Sequence, residues 1–336
     1  MLQHVIDAAD AAGARRNIVV TGFGGDVVRE SIGDSVEYVE QREQLGTGHA
    51  VLQTKELLAG EHGTIMVLCG DTPLLTAELL ARFHEEHVQA GAKATVLTAI
   101  MPNAKGYGRV IRRENGEVLK IVEHKDATPE EREIHEVNAG IYCFDTQALF
   151  AALAKVTNDN AQGEYYLPDV LSILRDAGEK IWAVTADNYE STLGINSRSQ
   201  LAVAERILRR RKAEELMADG VTIIDPHTTF IDAEVRVGMD TVIYPFTFLE
   251  GSTVIGTDCE IGPNVRFQNM VIGDNVKAHY VYAHDAEVEN GAELGQFNHI
   301  RPDSHIGAGV KMGNFVQVKN SNIGAGSKLP HLSYIG

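Results

Sequence analysis

Along the amino-terminal part of the chain, apolar residues recur at helical spacing in some segments and as short runs in others. Leu2, Val5, Ile6 and Ala9 have the spacing of a helix; NIVVTG and EYVEQ read as strands, GHAVLQTKELLAG as a helix, and TIMVLCG as a third strand. Such alternation predicts an α/β domain with a mostly parallel sheet. GYGRVIRRENGEVLKIVEHKD has hairpin character, with Asn115-Gly116 at its turn. From Asn196 to Ala218 the spacing predicts a long helix with Leu201, Ala204, Ile207, Leu208 and Leu216 on its apolar side, closed by Asp219-Gly220.

The period then changes to six. Val237, Ile243, Leu249, Ile255, Ile261 and Phe267 form one run; after a register shift near Ile272, Val288, Leu294, Ile300, Ile306, Met312 and Val318 form a second. That spacing predicts a parallel β-helix, in which one apolar side chain per rung points inward and stacks on its equivalent one coil later. Glycine follows the apolar residue at Val237-Gly238, Ile255-Gly256, Ile261-Gly262, Ile272-Gly273, Leu294-Gly295, Ile306-Gly307, Met312-Gly313 and Ile323-Gly324, which fits corners that a Cβ would crowd. A β-sandwich would instead alternate with period two. Three parts follow: 1–195, a linking helix over 196–219, and a hexapeptide-repeat β-helix over 220–336.

Charge narrows the partners. The net charge of −17 disfavours nucleic acid and anionic membrane surfaces, so a phosphate-bearing ligand must be met by amides, a metal or a few placed cations. Cys69, Cys143 and Cys259 are widely spaced and show no zinc pattern, which makes reduced thiols and a cytoplasmic location the expectation. No apolar run is long enough to span a bilayer.

Several features have a plain structural reading. Arg209-Arg210-Arg211-Lys212 lies beside Glu214 and Glu215 on the linking helix, as on a solvated face. Gly22-Phe23-Gly24-Gly25 lacks the third glycine of a dinucleotide fingerprint and reads as a tight turn between strand and helix. Cys69 has no neighbour in sequence that would lower its pKa, so it reads as a buried thiol, and the thirteen histidines show no metal-like pairing.

Other features carry candidate chemistry. LCGDTPLL follows a strand, where Gly70 admits a ligand to the backbone and Asp71 offers the hard oxygen that magnesium takes, or else orders the turn to a helix starting near Thr76. QLGTGHA stands at a loop-to-helix junction suited to an anion or a base edge. NHIRP, GNFVQVK and HLSYIG lie on the hexad scaffold with their polar side chains expected outward, because Ile300, Met312 and Val318 fill the inward positions.

Taken together, QREQLGTGHA, LCGDTPLL, GYGRVIRRENG, IVEHKDAT, EVNAGIYCF, NDNAQGEYYLPDV and LGINSRSQL follow the order and spacing of the bifunctional GlmU family, and the resemblance runs from about Gln3 to the last residue. It implies a Rossmann-like nucleotidyltransferase domain, a linking helix and a left-handed parallel β-helix, assembled as a homotrimer. It implies uridylyl transfer from UTP to N-acetylglucosamine 1-phosphate, and acetyl transfer from acetyl-CoA to glucosamine 1-phosphate. By the same resemblance Asp71 and Asn196 are the Mg²⁺ ligands; Gln41, Gly46 and Thr47, with Cys69 and Gly70 beside them, hold uracil; Gly108, Glu123 and Asn138 contact the amino sugar. In the second domain Arg301 and Lys319 are phosphate or sugar contacts, His331 is the general base and Tyr334 a substrate contact.

The chain also departs from the family pattern. Asp303 stands where glycine is usual and Asn320 where a second lysine is common. The family's opening strand and glycine-rich loop would precede Met1, and its further coils would follow Gly336. The expectations are therefore a sheet without its first strand and little uridylyltransferase activity or acetyl transfer from this polypeptide. Two other readings are a monofunctional sugar-1-phosphate nucleotidylyltransferase with a structural β-helix and a catalytically inert trimeric scaffold. The outward polar groups of RPDSH, GNFVQVK and HLSYIG argue against the first of these.

Overall fold

A computed structural model describes residues 1–160 and 162–336; Ala161, within the NDNAQGEYYLPDV motif, lies outside the described residues. The chain divides into two compact units, Met1–Ala204 and Glu205–Gly336, and the division falls inside the long helix rather than at either end of it.

The first unit follows the predicted alternation. Helix α1 (Leu2–Ala11) is followed by β1 (Ile18–Thr21), α2 (Gly25–Ile32) and β2 (Glu37–Glu40), and β1 and β2 form a parallel pair. The turn between β1 and α2 has Gly24 in the left-handed region, φ 74°, which explains its glycine. Next come α3 (Thr47–Leu52), β3 (Thr64–Val67), α4 (Ala77–Ala90), β4 (Ala94–Ile100), β5 (Arg109–Arg112) and β6 (Val118–Val122). The unit continues through α5 (Pro129–Arg132), β7 (Glu136–Asp145), α6 (Thr146–Leu153), α7 (Asp169–Asp176) and β8 (Ile181–Ala186) to α8 (Arg198–Ala218). Thr76 caps α4 by accepting from the Leu79 amide. The helix expected over GHAVLQTKELLAG is shorter than its pattern: it stops at Leu52 and the chain continues in turns.

The main sheet runs β6-β5-β7-β4-β8, with β3 also on β7. Strands β3, β4, β5 and β8 share one direction, so the sheet is mostly parallel in orientation. Yet β7 runs against β3, β4 and β5, so most of the neighbouring pairs are antiparallel. The register of β7 on β4 jumps from Tyr142 opposite Val96 to Asn138 opposite Thr98, and the bulge between them carries Gly140 at φ 75°. β5 and β6 form the expected hairpin around Gly116, φ 87°. Opposite faces of the sheet bury two apolar clusters, one centred on Val96, Phe144, Leu149 and Val170, the other on Leu80, Phe83, Leu97, Ile141 and Val184.

Helix α8 buries Ala204, Ile207, Ala213 and Leu216, while Leu201 is exposed, so the expected apolar side holds except at its first member. The basic run is engaged rather than freely solvated: Arg209 lies over the Phe230 ring at 4.2 Å, and Lys212 binds Glu215 at 2.7 Å.

The second unit is the expected parallel β-helix. Its strands, mostly two residues long, stack into three parallel sheets: one from Phe230–Ile231 to Tyr334–Ile335, one from Arg236–Val237 to Asn322–Ile323, one from Thr222–Ile223 to Lys328–Leu329. Val237 lies beside Ile255 and Ile243 beside Ile261, one full coil on. The register shift near Ile272 comes from shortened rungs: Phe267 pairs with Ala283 and Ile272 with Val288, so these coils close in fewer residues. There the inward positions fall on Ile272, Ala278 and Ala283, which the strict period of six passes over. Small Ala283 beside the fully buried Phe267 keeps the stack filled.

Most of the glycines that follow an apolar residue serve close approach; Gly262, which is also left-handed at φ 99°, and Gly324, where a Cβ would have room, are exceptions. A Cβ on Gly238 would lie 2.6 Å from the Gly256 carbonyl carbon of the neighbouring coil. The left-handed corners are taken by Asp240, Asp258, Asn264, Asn269, Asn275, Asp285, Asp303 and Asn320, by Gly251, Gly291, Gly309 and Gly326, and along one corner by Phe246, Tyr280, Phe297, Phe315 and Leu332. Among the described residues no helix is long and apolar enough to cross a membrane.

One buried titratable group links the first unit to pH. His87 on α4 packs inside with Nδ1 2.7 Å from Thr95 Oγ1, and burial, reinforced by His84, holds its pKa near 4 instead of 6.5. The unfolded chain takes up this proton near pH 6.5 and the folded unit only near 4. Stability is therefore full above the first value and falls between the two, by up to about 3 kcal/mol from this residue. Melting of the first unit between pH 7.5 and 4.5 is expected to show this loss, and His87→Leu to flatten it; equal acid sensitivity in the variant rules the linkage out.

Candidate active sites in the two units

In the first unit the candidate residues gather from distant segments. Asp71 sits at the end of the β3 loop, and Asn196 lies just before α8, where Ser197 and Gln200 cap the helix: Ser197 Oγ accepts from the Gln200 amide, and Gln200 Oε1 accepts from the Asn196 amide at 2.8 Å. The Ile195 amide donates to the Asp71 carbonyl at 2.9 Å. As a result both side chains border Gly194: a Cβ there would lie 3.4 Å from Asp71 Oδ2 and 3.9 Å from Asn196 Nδ2. The Asp71 carboxylate has no hydrogen-bond partner among the described residues, so the turn-ordering reading does not account for it. An anionic oxygen and an amide side chain offer two hard donors, which suits magnesium, since that ion keeps water and substrate phosphates for its remaining positions. Among the described residues no group of three or more His, Cys, Asp or Glu could hold a metal ion.

Gly108, Glu123 and Asn138 also come together. The Asn138 amide donates to the Gly108 carbonyl at 2.9 Å, and a Cβ on Gly108 would lie 3.1 Å from Glu123 Oε1. Any Cβ there would push this carboxylate from its place by a few tenths of an ångström. Asn138 Nδ2 donates to Tyr142 Oη at 2.8 Å, while its Oδ1 accepts from the Gly140 amide in the bulge. The Cys69 thiol faces the same bulge, 3.5 Å from the Gly140 carbonyl, and burial, with Asp71 adding, pushes its pKa up. It is a poor nucleophile, in keeping with a packing role. Gly70 stays open: a Cβ there would meet only Leu2, at 3.4 Å.

The QLGTGHA loop is clasped by a segment to which the sequence pattern assigns no role. Gly46, φ 108°, passes so close to Tyr165 that a Cβ would lie 2.7 Å from its carbonyl oxygen. The Gly48 amide donates to Tyr165 O, the Tyr165 amide to Leu45 O, and the Leu167 amide to Thr47 Oγ1 at 3.1 Å. Gln41, largely buried, donates from Nε2 to Gly46 O at 3.0 Å and meets His49 Nδ1. The signal for this clasp is the EYYL run itself, whose backbone partners no periodicity reveals.

In the second unit Tyr334 lies in one sheet, Arg301 and Lys319 stand just after two of its strands, and His331 is in the turn before Tyr334. The outward row of this sheet runs Arg266, Tyr282, His299, Gln317 and Tyr334 on successive coils, and Arg301 and Lys319 follow in the adjoining row, two residues after His299 and Gln317. Three other cations of the β-helix are neutralised, Arg266 on Glu250, Lys277 on Glu260 and Lys311 on Glu293, while Arg236 and Lys328 form no ion pair among the described residues. Arg301 and Lys319 have no acidic partner among the described residues. Two unpaired cations on neighbouring coils suit a phosphate dianion.

His331 is exposed and its Nδ1 accepts from the Asn314 amide at 2.7 Å. A neutral imidazole that accepts at Nδ1 carries its proton on Nε2. The approach is made possible by Gly313, where a Cβ would lie 2.7 Å from the His331 amide nitrogen and 3.0 Å from Nδ1. One outward expectation fails: Asn298 is 2% exposed and its Oδ1 accepts from the Val316 amide at 2.8 Å, so it braces the coils from within. The departures at Asp303 and Asn320 have a conformational reason. Both residues are left-handed, φ 58° and 43°, where aspartate and asparagine come next after glycine and lysine does not.

Comparison with known proteins adds to this geometry. The nucleotidyl transferase family matches residues 1–194. A protein called bifunctional protein GlmU from Geobacillus sp. (strain WCH70) is 52% identical over 336 residues, covering 100% of this chain and 73% of that protein. One of the same name from Exiguobacterium sp. (strain ATCC BAA-1283 / AT1b) is 49% identical, covering 100% of this chain and 74% of that protein. Among solved structures, a UDP-glucose pyrophosphorylase complexed with UDP-glucose aligns with a TM-score of 0.50 at 17% identity, over 62% of this chain and 86% of that one, a likeness of fold alone. On full-length identity of this order, the chain belongs to the bifunctional GlmU family.

Proposed function

We propose that the two units carry two successive steps in making UDP-N-acetylglucosamine in the cytoplasm. In the second unit the amine of glucosamine 1-phosphate attacks the thioester carbonyl of acetyl-CoA, and CoA leaves. In the first, a phosphate oxygen of N-acetylglucosamine 1-phosphate attacks the α-phosphorus of UTP, and pyrophosphate leaves. The observation that carries this reading is the meeting of Asp71 and Asn196 beside Gly194, with Gly108, Glu123 and Asn138 joined in the same unit.

In the first unit Gln41, Gly46 and Thr47 hold uracil beside Cys69 and Gly70, and Gly108, Glu123 and Asn138 hold the sugar. Asp71 and Asn196 would hold magnesium, which would neutralise charge on the phosphates. The chain's own contribution is positioning, since no protein nucleophile is required.

In the second unit Arg301 and Lys319 receive the sugar phosphate, and Tyr334, one coil on, lines the sugar. His331 takes the amine's proton. Its Nδ1 is spent on Asn314 as observed, so base action needs the ring to turn and present an unprotonated nitrogen to the substrate. The occupants are small molecules; the acidic chain is not a partner for nucleic acid.

The assembly is a homotrimer built through the β-helix. Phe246, Tyr280, Phe297, Phe315 and Leu332 form an exposed ridge along one corner, with Phe297 and Phe315 stacked at 4.9 Å. Bulky left-handed residues are costly alone, and burial against a second copy offsets that cost.

Three measurements test these assignments. Asp71→Ala is expected to lower pyrophosphate release on the order of 100-fold while leaving CoA release unchanged. Parallel loss of both activities, or none, overturns the assignment. His331→Ala is expected to cut CoA release on the order of 100-fold with uridylyl transfer intact; wild-type acetyl transfer in this variant removes His331 from the mechanism. Sedimentation of the Phe297→Asp, Phe315→Asp double variant should show monomer where the parent is trimer, and an unchanged trimer excludes the corner as the interface.

A further inference from the structure

Arg109, the first residue of β5, is 2% exposed, and no carboxylate lies within salt-bridge distance of it among the described residues. Nη1 donates to the Tyr107 carbonyl at 2.5 Å, and Nη2 to the Arg132 carbonyl at 3.3 Å, with His124 Nδ1 at 3.5 Å. Nε is buried without a partner. Arg112, three residues on, has the opposite arrangement, with its guanidinium held by the Glu136 carboxylate at 2.6 Å and by Thr185.

A buried guanidinium that meets two carbonyls and an imidazole but no carboxylate, and leaves one donor unpaired, is a net cost to folding. Its neighbours in the fold are apolar: Arg109 lies opposite Val122 on β6 and Val137 on β7, and Val137 packs with Ala99, Met101 and Ala104. An aliphatic side chain would fill this place at lower cost. What the arginine alone supplies is a fork that reaches three separate segments. Tyr107 immediately precedes Gly108; His124 immediately follows Glu123; Arg132 ends α5, which follows the Glu123 turn.

We propose that Arg109 is a positioning residue that sets the spacing between Gly108 and Glu123, and so the fit of the amino-sugar phosphate substrate. The proposal rests on the assignment of these two residues to the sugar site. Arg109 does not touch the substrate; it fixes the carbonyl before Gly108 and the turn after Glu123 from within. The Gly108 carbonyl is already tied to the Asn138 amide, so a shift at Tyr107 passes to all three sugar residues.

The test is steady-state kinetics of pyrophosphate release in the whole protein, with KM measured separately for N-acetylglucosamine 1-phosphate and UTP. Arg109→Met is expected to raise the sugar-phosphate KM about tenfold or more, with the UTP KM within about twofold and CoA release unchanged. Arg109→Lys, which keeps the charge but loses the fork, is expected to fall between, and it serves in place of the methionine variant if that does not fold. Equal rises in both KM values, or a change confined to kcat, overturn the positioning role. A wild-type protein that saturates with UTP but not with the sugar phosphate overturns instead the assignment of Gly108 and Glu123, and the proposal with it.

Discussion

Each coil of the second unit lies one strand spacing, about 4.8 Å, from the next, and that spacing decides which residues the chain can use. An inward side chain must fit against its equivalent, so Ile243 stacks beside Ile261 and Phe267 beside Ala283. Where the corner brings backbone onto backbone there is no room for a Cβ, which explains Gly238 and Gly313. Outward side chains on adjacent coils are held side by side, so Arg301 and Lys319 form a pair without any contact to each other being needed. The candidate acetyl-transfer site is thus a by-product of coil spacing: once the scaffold is set, residues one coil apart are neighbours.

The first unit solves the same problem of assembly differently. No repeat brings its candidate residues together; β7 does so, by running against its neighbours and bulging at Gly140. One end of β7 pairs with β5, where Gly108 meets Asn138, and the other with β3, whose following loop carries Cys69 and Asp71. The bulge turns Asn138 and Gly140 toward these two segments. Asn196 is supplied last, by the cap of α8, so a helix start fixes a ligand's position as well as ending a loop.

Much of this is legible in sequence. The β-helix is, because a period of six admits few other structures, and the alternation of strands and helices before it marks the α/β unit. The antiparallel placement of β7 is not, since EVNAGIYCFD carries no mark of direction. The shortened rungs after Phe267 are visible only as a break, because Ala278 and Ala283 look too small to be core until their neighbours are known. Asn298 departs from its outward expectation for a related reason: an amide can face inward when a coil's own backbone, here the Val316 amide, supplies its partner. Arg109 carries no signal of its own, because nothing in GYGRVIRR distinguishes a buried guanidinium from the ion-paired Arg112.

The acidic balance of the chain bears on how each site meets a phosphate. A net charge of −17 repels anionic substrates at long range, but beyond about 8 Å that field is largely screened at physiological ionic strength. Inside that distance the local groups decide, and the two units differ. The β-helix leaves Arg301 and Lys319, on adjacent coils, without an acidic partner, so two fixed positive charges stand side by side there, while Arg266, Lys277 and Lys311 are neutralised. The first unit places carboxylates, Asp71 and Glu123, among its candidate residues, and these alone would repel a triphosphate. A cation would offset that repulsion, and an aspartate and an asparagine side by side offer the hard oxygen donors that such an ion takes.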